Sequence, residues 1–315
     1  MRQLTIISGA GINLGISAAC PDADEMLNFS YQKISKSVYS RVDPAIKEMF
    51  SPESFDYILG GGLLTVNLAI EKTKEDLKRF NMNEEAFVSL FKQSNLQSSI
   101  IGALGQIETQ LTISLRQMLD VVERFSPPLD QIIEKYDSVN YFTVNFDGIF
   151  DHVIYGANYR RSKLVTDFWT AYGKLDPGAQ KKVKIFHLHG DLRYKPAKKT
   201  KNYAPPYKWP VLVVGDQDVK KGTIASNEAL LFYNKKLKSV CDSREEFNEN
   251  NLAIIGFGFR EEDDHIVSKI KHGITSKTFD SVSIFDPEDR LAGISDSHSW
   301  TKPIDASLIE FLSKL

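Results

Sequence analysis

The chain has 315 residues and a formal net charge of −2, from 39 basic and 41 acidic side chains. This balance provides no overall attraction to nucleic acid or to an anionic membrane surface. No apolar run approaches the roughly 18 residues that a membrane span requires, and the first residues resemble a strand rather than a signal peptide. Its two cysteines, Cys20 and Cys241, lie far apart. We therefore expect a cytoplasmic protein with free thiols and no direct membrane binding.

Six short apolar runs predict β-strands. They are Leu4–Ile7, Val139–Val144, Val183–Leu188, Val211–Val214, Leu252–Ile255 and Val282–Phe285. Helical segments separate several of these runs, as in an α/β protein whose parallel strands are covered on both faces. We predict a doubly wound, mostly parallel, Rossmann-like sheet formed by residues 1–30 and 139–315.

Residues 31–138 contain almost no strand signal and are predicted to form a helical insertion. Leu64–Phe80 and Glu84–Phe91 have helical patterns, and apolar residues recur at helical spacing from Ile100 to Phe125. Ser126-Pro127-Pro128 is expected to end that last helix. The simplest interpretation is that these helices pack on one another. The alternative is a face for subunit or partner contacts.

Two further segments carry local signals. Lys195–Pro210 is basic, aromatic and proline-rich, which indicates a solvated loop or, alternatively, a lid or a contact for phosphate or nucleic acid. Asp305 is predicted to cap a terminal helix, Ala306–Leu315.

Four segments that are distant in sequence each follow a predicted strand. They are Gly9-Ala10-Gly11, Thr143–Asp147, His187–Gly190 and Gly256–Phe259. The carboxyl ends of parallel strands meet at one crevice, where ligands bind. The sequence therefore predicts a nucleotide site that contains a glycine loop, an amide, a carboxylate and an imidazole.

The glycines fit the phosphate part of such a site. Glycine lets a backbone approach a pyrophosphate, and the free N–H groups at a helix start favour anions. The third glycine of the dinucleotide fingerprint is displaced to Gly15, so a tight strand–helix turn is the alternative. Gly256 and Gly258 form a second strand-end pair. Asp286, after the last predicted strand, could bond a ribose hydroxyl or cap a turn.

The polar residues fit the chemical part. Asn145 and Asp147 alternate along one strand end, although Asn and Asp are also common turn formers. His187 and His189 have the spacing of two metal ligands, but no third ligand is evident. We interpret His187 as a core residue and assign the chemistry to His189, which is nearer the strand end. Asp263, at the start of a predicted helix, is interpreted as an acid that complements the helix dipole.

The ordered set Gly-Ala-Gly, Thr-x-Asn-x-Asp, His-Gly and a late glycine-rich strand end resembles the sirtuin family. The closest resemblance is to the sirtuin-like domains of bacterial anti-phage systems, over residues 1–25 and 139–290. This resemblance implies that NAD is bound along the sheet edge. It implies a pyrophosphate contact and an adenosine contact by Gly9, Ala10, Gly11, Asn13, Gly256, Gly258 and Asp286. Asn145 and Asp147 would hold the nicotinamide ribose and carboxamide, and His189 would be the catalytic histidine.

The departures from the family carry information as well. Deacylating sirtuins have a zinc module held by four cysteines, which this chain with its two cysteines cannot form. They also have a Pro-Asp-Phe-Arg segment, of which Pro21-Asp22-Ala23-Asp24 keeps only the first half; Asp22 is its candidate cofactor contact. Loss of the zinc module leaves the NAD site intact but removes the basis for peptide binding.

The resemblance therefore implies an NAD glycohydrolase of bacterial abortive defence that needs no metal. Its activity would be restrained by oligomerisation or by a partner, such as an ATPase or helicase of the HerA type or an Argonaute-like protein. The alternatives are an NAD-dependent protein deacylase and a non-catalytic subunit that binds NAD or ADP-ribose in an assembly.

Overall fold

The structure is a computed structural model, and it describes residues 1–9, 11–19, 119–145, 148–156, 164–167, 181–190, 213, 217–244, 247–286 and 307–315. Its strands are β1 Arg2–Ser8, β2 Ser138–Thr143, β3 Val165–Asp167, β4 Val183–His187, β5 Glu249–Ile255 and β6 Ser281–Phe285. Its α-helices are α1 Gly11–Ala19, α2 Leu119–Lys135, α3 Ile149–Tyr155, α4 Gln217–Ala225, α5 Glu228–Asp242, α6 Asp264–Thr275 and α7 Leu308–Lys314. A short 3-10 helix, Glu261–Asp263, directly precedes α6.

The six strands form one sheet in the order β3-β4-β2-β1-β5-β6. Every neighbouring pair is parallel. From β1 the chain extends the sheet on one side through β2, β3 and β4, and then returns to the other side of β1 with β5 and β6. The order reverses between β1 and β5, the position at which open α/β sheets bind ligands. The predicted α/β fold with a parallel sheet is confirmed.

Helices cover both faces of this sheet, because successive strand side chains point to opposite faces. On one face, Leu4 and Ile6 of β1 belong to a buried cluster with side chains of α1, α2, α3 and α7. On the other face, Ile7 belongs to a second cluster with side chains of α4, α5 and α6. Two cores on one sheet make the fold doubly wound.

The carboxyl ends of the strands are aligned in one row. Ser8 pairs with Thr143 on one side and with Ile255 on the other. Thr143 in turn pairs with His187, and Ile255 pairs with Phe285. Neighbouring strands lie about 4.8 Å apart. The segments that follow β1, β2, β4, β5 and β6 therefore start at the same level of the sheet, as the sequence predicts.

Helix α2 runs through Pro127 and Pro128, so the predicted helix end at these residues is wrong. Proline removes a backbone hydrogen bond and disfavours a helix interior. Here Phe125 before the prolines and Leu129 after them are both buried in the same core. Packing on the sheet holds the two halves of the helix together and outweighs the local preference.

The same helix falls within the predicted insertion. Phe125, Leu129, Ile132 and Ile133 of α2 pack in the core cluster that contains β1 and β2 side chains, and the division into a sheet domain and a 31–138 insertion stays a prediction. Residues 31–118, including the predicted helices Leu64–Phe80 and Glu84–Phe91, lie outside the described residues, as does Lys195–Pro210. None of the helices in the described part of the chain is long and apolar enough to cross a membrane.

Three further details differ from the sequence expectations. The edge strand β3, Val165–Asp167, has only three residues and was not predicted. Of the predicted strand Val211–Val214, only Val213 is described, and it is not in a strand. Helix α7 is capped by Ser307 rather than Asp305: Ser307 Oγ accepts from the Glu310 N–H, and Glu310 bonds back to the Ser307 N–H.

Candidate functional site

The loop after β1 packs directly on the end of β5. The N–H of Gly9 donates to the Ile255 carbonyl and the N–H of Gly11 donates to the Gly256 carbonyl, both at 3.1 Å. A Cβ on Gly9 would lie 2.7 Å from the Gly256 oxygen, and one on Gly11 would lie 2.7 Å from Gly256 Cα. Gly256 itself has a φ of 55°, which side chains rarely adopt. These glycines permit two backbones to touch at the point where the strand order reverses.

This contact bears on the role predicted for the first glycine loop. The N–H groups of Gly9 and Gly11 are bonded to the carbonyls of Ile255 and Gly256. The start of α1 lies at the same edge, and its helix dipole favours an anion. Asn13 lies half-buried in the first turn of α1. The backbone packing requires glycine at positions 9 and 11, and their pyrophosphate contact stays a prediction.

Asn145 lies just beyond the end of β2 and is 8% exposed. Both of its hydrogen bonds within the described residues use backbone atoms. Its N–H donates to Thr143 Oγ1 at 3.1 Å, and its carbonyl oxygen lies 3.4 Å from His187 Nδ1. The side-chain amide is therefore held in place but makes no hydrogen bond to a described residue. A nearly buried amide of this kind is suited to a polar ligand, because buried amides are normally bonded.

His187 has the surroundings of a structural residue. It is fully buried, and its Nε2 lies 2.7 Å from Oδ2 of Asp151, which is 1% exposed. Asp151 belongs to α3, so this contact joins β4 to the helix that follows Asn145. The geometry agrees with the interpretation of His187 as a core residue.

His189 belongs to a buried group of four side chains that we name the His–Asp cluster: His189, Lys220, Asp263 and His265. The Nε2 atoms of His189 and His265 lie 3.2 Å apart, with their rings stacked at 5.2 Å. His189 Nε2 also lies 3.6 Å from Asp263 Oδ1, to which Lys220 Nζ donates at 2.5 Å. The four residues are 5–9% exposed.

Both imidazoles of this cluster are neutral at neutral pH. Burial lowers the pKa of His189 well below its usual range, and the charges of Lys220 and His265 act in the same direction. Burial also lowers the pKa of His265 to about 4, although the Asp263 carboxylate opposes this shift. Within a neutral pair, one Nε2–H donates and the other Nε2 accepts.

The turn after β5 brings the cluster together. It contains two residues with positive φ, Gly256 at 55° and Phe259 at 45°. Phe257 is buried in the core and packs edge-on against the Phe259 ring at 4.9 Å. This packing holds the strained turn, which leads into the 3-10 helix and α6. Asp263 and His265 are thereby placed beside the loop that follows β4.

The remaining candidates are less defined by the structure. Gly258 lies in the turn after β5, and Asp286 directly follows β6; both are half-buried. Ala10, Asp22 and Asp147 lie outside the described residues. The structure thus brings Gly9, Gly11 and Gly256 together at the β1–β5 junction, with Asn145 and His189 on the neighbouring strand ends β2 and β4.

Sequence reasoning missed most of the His–Asp cluster. It named Asp263 only as a first-turn acid, and it did not name His265 or Lys220 as site residues. The sequence did contain a signal for His265. This histidine follows the glycine pair at the end of a strand, separated from it only by a turn and a short helix. Lys220 carried none, since a lysine in a polar helix is ordinary.

Among protein families and curated proteins, nothing matches the chain.

Proposed function

We propose that the protein is an NAD glycohydrolase that acts in bacterial anti-phage defence, in the manner of the sirtuin-like domains that its motifs resemble. The observation that carries this proposal is the nearly buried Asn145 amide, which uses none of its side-chain atoms within the described residues. It lies on the strand next to that of His189, at the carboxyl edge where parallel sheets bind nucleotides.

The reaction breaks the bond between the ribose anomeric carbon of NAD and the nicotinamide nitrogen. The bonding electrons pass to the nicotinamide ring, which leaves as a neutral molecule. The sugar passes through an oxocarbenium-like transition state, as in glycoside cleavage. Water then adds its oxygen to the anomeric carbon and releases one proton. The products are nicotinamide, ADP-ribose and a proton.

His189 would accept that proton through Nδ1. Its Nε2 faces His265, so Nδ1 is the ring nitrogen that remains for substrate or water. For Nδ1 to accept, the proton of neutral His189 must be on Nε2, where it donates to Nε2 of His265. In that tautomer His265 Nε2 would accept the bond and orient the ring of His189, as the partner of a catalytic imidazole commonly does. The Asp263 carboxylate, 3.6 Å from Nε2, would stabilise the imidazolium that forms.

Asn145 would bind the ribose or the attacking water through its side-chain amide. Asp147 would orient the nicotinamide carboxamide, as the family resemblance implies. The dinucleotide would extend from these groups across the β1–β5 junction, with the start of α1 near its pyrophosphate. Asp22, Gly258 and Asp286 are the further candidates for its contacts.

Such an enzyme needs restraint in a living cell, because it consumes a central cofactor. We propose that oligomerisation or a partner chain, such as a HerA-type ATPase or helicase or an Argonaute-like protein, controls it in the cytoplasm. The predicted helical insertion, residues 31–138, is the proposed place for those contacts, since the sheet supplies the candidate site without needing it.

The decisive experiment is product analysis after incubation with NAD. The purified protein is incubated with NAD, with and without an acetylated peptide, and nicotinamide, ADP-ribose and deacetylated peptide are separated and quantified. Release of nicotinamide and ADP-ribose without peptide supports hydrolysis. Turnover that occurs only with the peptide identifies a deacylase, and NAD binding without turnover identifies a non-catalytic subunit.

A cellular experiment covers a chain that is inactive until triggered. Bacteria that express the protein are infected with phage, and their NAD content is followed over time. We expect NAD to fall after infection in cells with the natural chain and to persist in cells with His189→Ala. An unchanged NAD content in both strains during successful defence would refute the proposal.

A further inference from the structure

The His–Asp cluster directs three potential ligand atoms toward a common point. Nitrogen atoms of His189 and His265 and a carboxylate oxygen of Asp263 all lie within 4.8 Å of one another. All three residues are more than nine-tenths buried, at 5%, 8% and 8% exposed. Asp263 and His265 lie two positions apart, where the 3-10 helix meets α6, and His189 reaches them from the distant loop after β4.

Two of the three ligand separations match those of ligands around one small ion. With metal–nitrogen and metal–oxygen distances of about 2.0–2.2 Å, two ligands at a tetrahedral angle lie roughly 3.3–3.6 Å apart. The Nε2 atoms of His189 and His265 are 3.2 Å apart, and His189 Nε2 is 3.6 Å from Asp263 Oδ1. The third separation, between His265 and Asp263, is at most 4.8 Å.

The ligand types fit as well. A metal ion is bound by neutral imidazole and ionised carboxylate groups, and these are the side-chain types that His189, His265 and Asp263 supply. Imidazole nitrogen favours zinc and other late first-row ions over magnesium and calcium, which prefer an all-oxygen shell.

We propose that His189, His265 and Asp263 form a binding site for a divalent transition-metal ion of the zinc class, and that the bound ion switches off His189 as a base. The inhibitory part rests on the function proposed above, whereas the binding does not. Three protein ligands leave one position of a tetrahedral ion for water.

Inhibition follows from the tautomer of His189. The hydrolase uses His189 with its proton on Nε2 and a free electron pair on Nδ1. A metal ion bound to Nε2 moves that proton to Nδ1, and the ring then has no nitrogen with which to accept a proton from water. No net proton is released, because the proton only changes its position on the ring.

Lys220 sets the affinity of the site. Its ammonium group lies 2.5 Å from Asp263 Oδ1 and is itself nearly buried, so it occupies the place of a cation beside the carboxylate. The ion and the ammonium therefore compete for Asp263. His265 Nδ1 makes no hydrogen bond within the described residues. A hydrogen-bond partner on the second ring nitrogen of a metal-binding histidine usually raises metal affinity by about 10–100-fold. Because His265 has no such partner within the described residues, we expect the ion to bind reversibly rather than permanently.

Cobalt binding tests the site without any reference to NAD. Metal-free protein is titrated with Co²⁺, and the visible absorption of tetrahedral cobalt is recorded, followed by displacement with Zn²⁺. We expect one equivalent of Co²⁺ to bind with a band that Zn²⁺ removes. The absence of such a band in the natural protein would overturn the proposal.

Two variants that should change Co²⁺ affinity in opposite directions identify the ligands. His265→Ala should weaken Co²⁺ binding at least as much as the ~10–100-fold loss caused by removing an outer-shell partner. Lys220→Met should strengthen it at least about tenfold, because a positive charge about 4 Å from a divalent ion is removed. Lys271→Met is the matched control, since Lys271 is exposed on α6; the Co²⁺ affinity of this variant should not change.

If circular dichroism shows that His265→Ala does not fold, Lys220→Met still tests the metal site. Unchanged or weaker Co²⁺ binding in folded Lys220→Met would then overturn the assignment. NAD hydrolysis is measured separately in a chelator and in Zn²⁺. Inhibition that Lys220→Met shifts to lower Zn²⁺ concentration supports the switch, and stimulation by Zn²⁺ overturns it. Cobalt binding by a chain that hydrolyses NAD neither in chelator nor in infected cells would leave the metal site standing and reject the proposed hydrolase.

Discussion

The side-chain amides at the amino and carboxyl edges of the sheet differ in their hydrogen bonding. At the amino edge, Asn250 receives a bond from Gln3 Nε2 at 3.1 Å and donates to the Thr278 carbonyl at 3.1 Å, and Asn140 donates to Gln3 Oε1 at the same distance. At the carboxyl edge, the Asn145 side chain has no such bond within the described residues. A satisfied amide stabilises the fold, whereas an amide held in place and left unbonded is available to a ligand.

The largest expected effect is on turnover at the carboxyl edge. Asn145→Ala and His189→Ala should each lower the rate of NAD hydrolysis by about 10²–10⁴, the usual contribution of one positioned acid–base group. The urea midpoint of Asn145→Ala should stay unchanged, since no bond within the described residues is lost.

The control for these variants is His272→Ala on α6, whose side chain is exposed. It should keep both rate and stability. If Asn145→Ala unfolds at a much lower urea concentration than the natural chain, the proposed difference between the two edges is wrong, because the Asn145 amide would then stabilise the fold.

The second prediction separates the two neighbouring histidines. His187→Ala removes the imidazole whose Nε2 lies 2.7 Å from the buried Asp151 carboxylate. Breaking a buried pair in this way typically reduces the free energy of unfolding by about 3–5 kcal/mol. Urea unfolding followed by circular dichroism measures the loss.

The double variant His187→Ala/Asp151→Ala is the informative control for that prediction, because it also removes the carboxylate that has lost its bond to His187. It should be more stable than His187→Ala alone. Full stability of His187→Ala together with loss of turnover would instead exchange the roles that we assign to His187 and His189.

The third prediction concerns the amino edge. Asn250→Ala leaves the Gln3 amide and the Thr278 carbonyl without their partner, which typically costs about 1–3 kcal/mol in the free energy of unfolding. The rate of NAD hydrolysis at a temperature where the variant is folded should not change. A fall in rate without a fall in stability would show that the amino edge, too, contributes to the chemistry.

The smallest effect is expected in α4, the helix that carries Lys220. Gly222 lies inside this helix, and a Cβ added there would meet no atom within 4 Å. Gly222→Ala should therefore raise the free energy of unfolding by about 0.4–1 kcal/mol, because alanine loses less conformational freedom. A thermal melt measures it, with Gly256→Ala as the contrast.

Gly256→Ala should destabilise instead. Its φ of 55° disfavours a side chain, and the added Cβ would collide with Gly11. Equal melting temperatures for the two glycine variants would contradict the close β1–β5 contact described here.

The sequence by itself determined that the strands form a parallel sheet and that the candidate residues lie at its carboxyl edge. Continuous apolar runs such as Leu4–Ile7 and Leu252–Ile255 are buried on both faces, and this property is local enough to read from composition. Glycines, Asn145 and His189 directly follow such runs, so their position at one edge follows from strand direction alone.

Only the tertiary structure decided which of these groups meet. Helix α2 crosses Pro127 and Pro128 because distant core residues hold it, and local propensity cannot register that packing. A side chain on Gly9 or Gly11 would collide with Gly256, more than 200 positions along the chain, and no local pattern shows this contact. The His–Asp cluster likewise assembles from three separate elements through a strained turn, and long-range contacts of this kind leave no periodic pattern in the sequence.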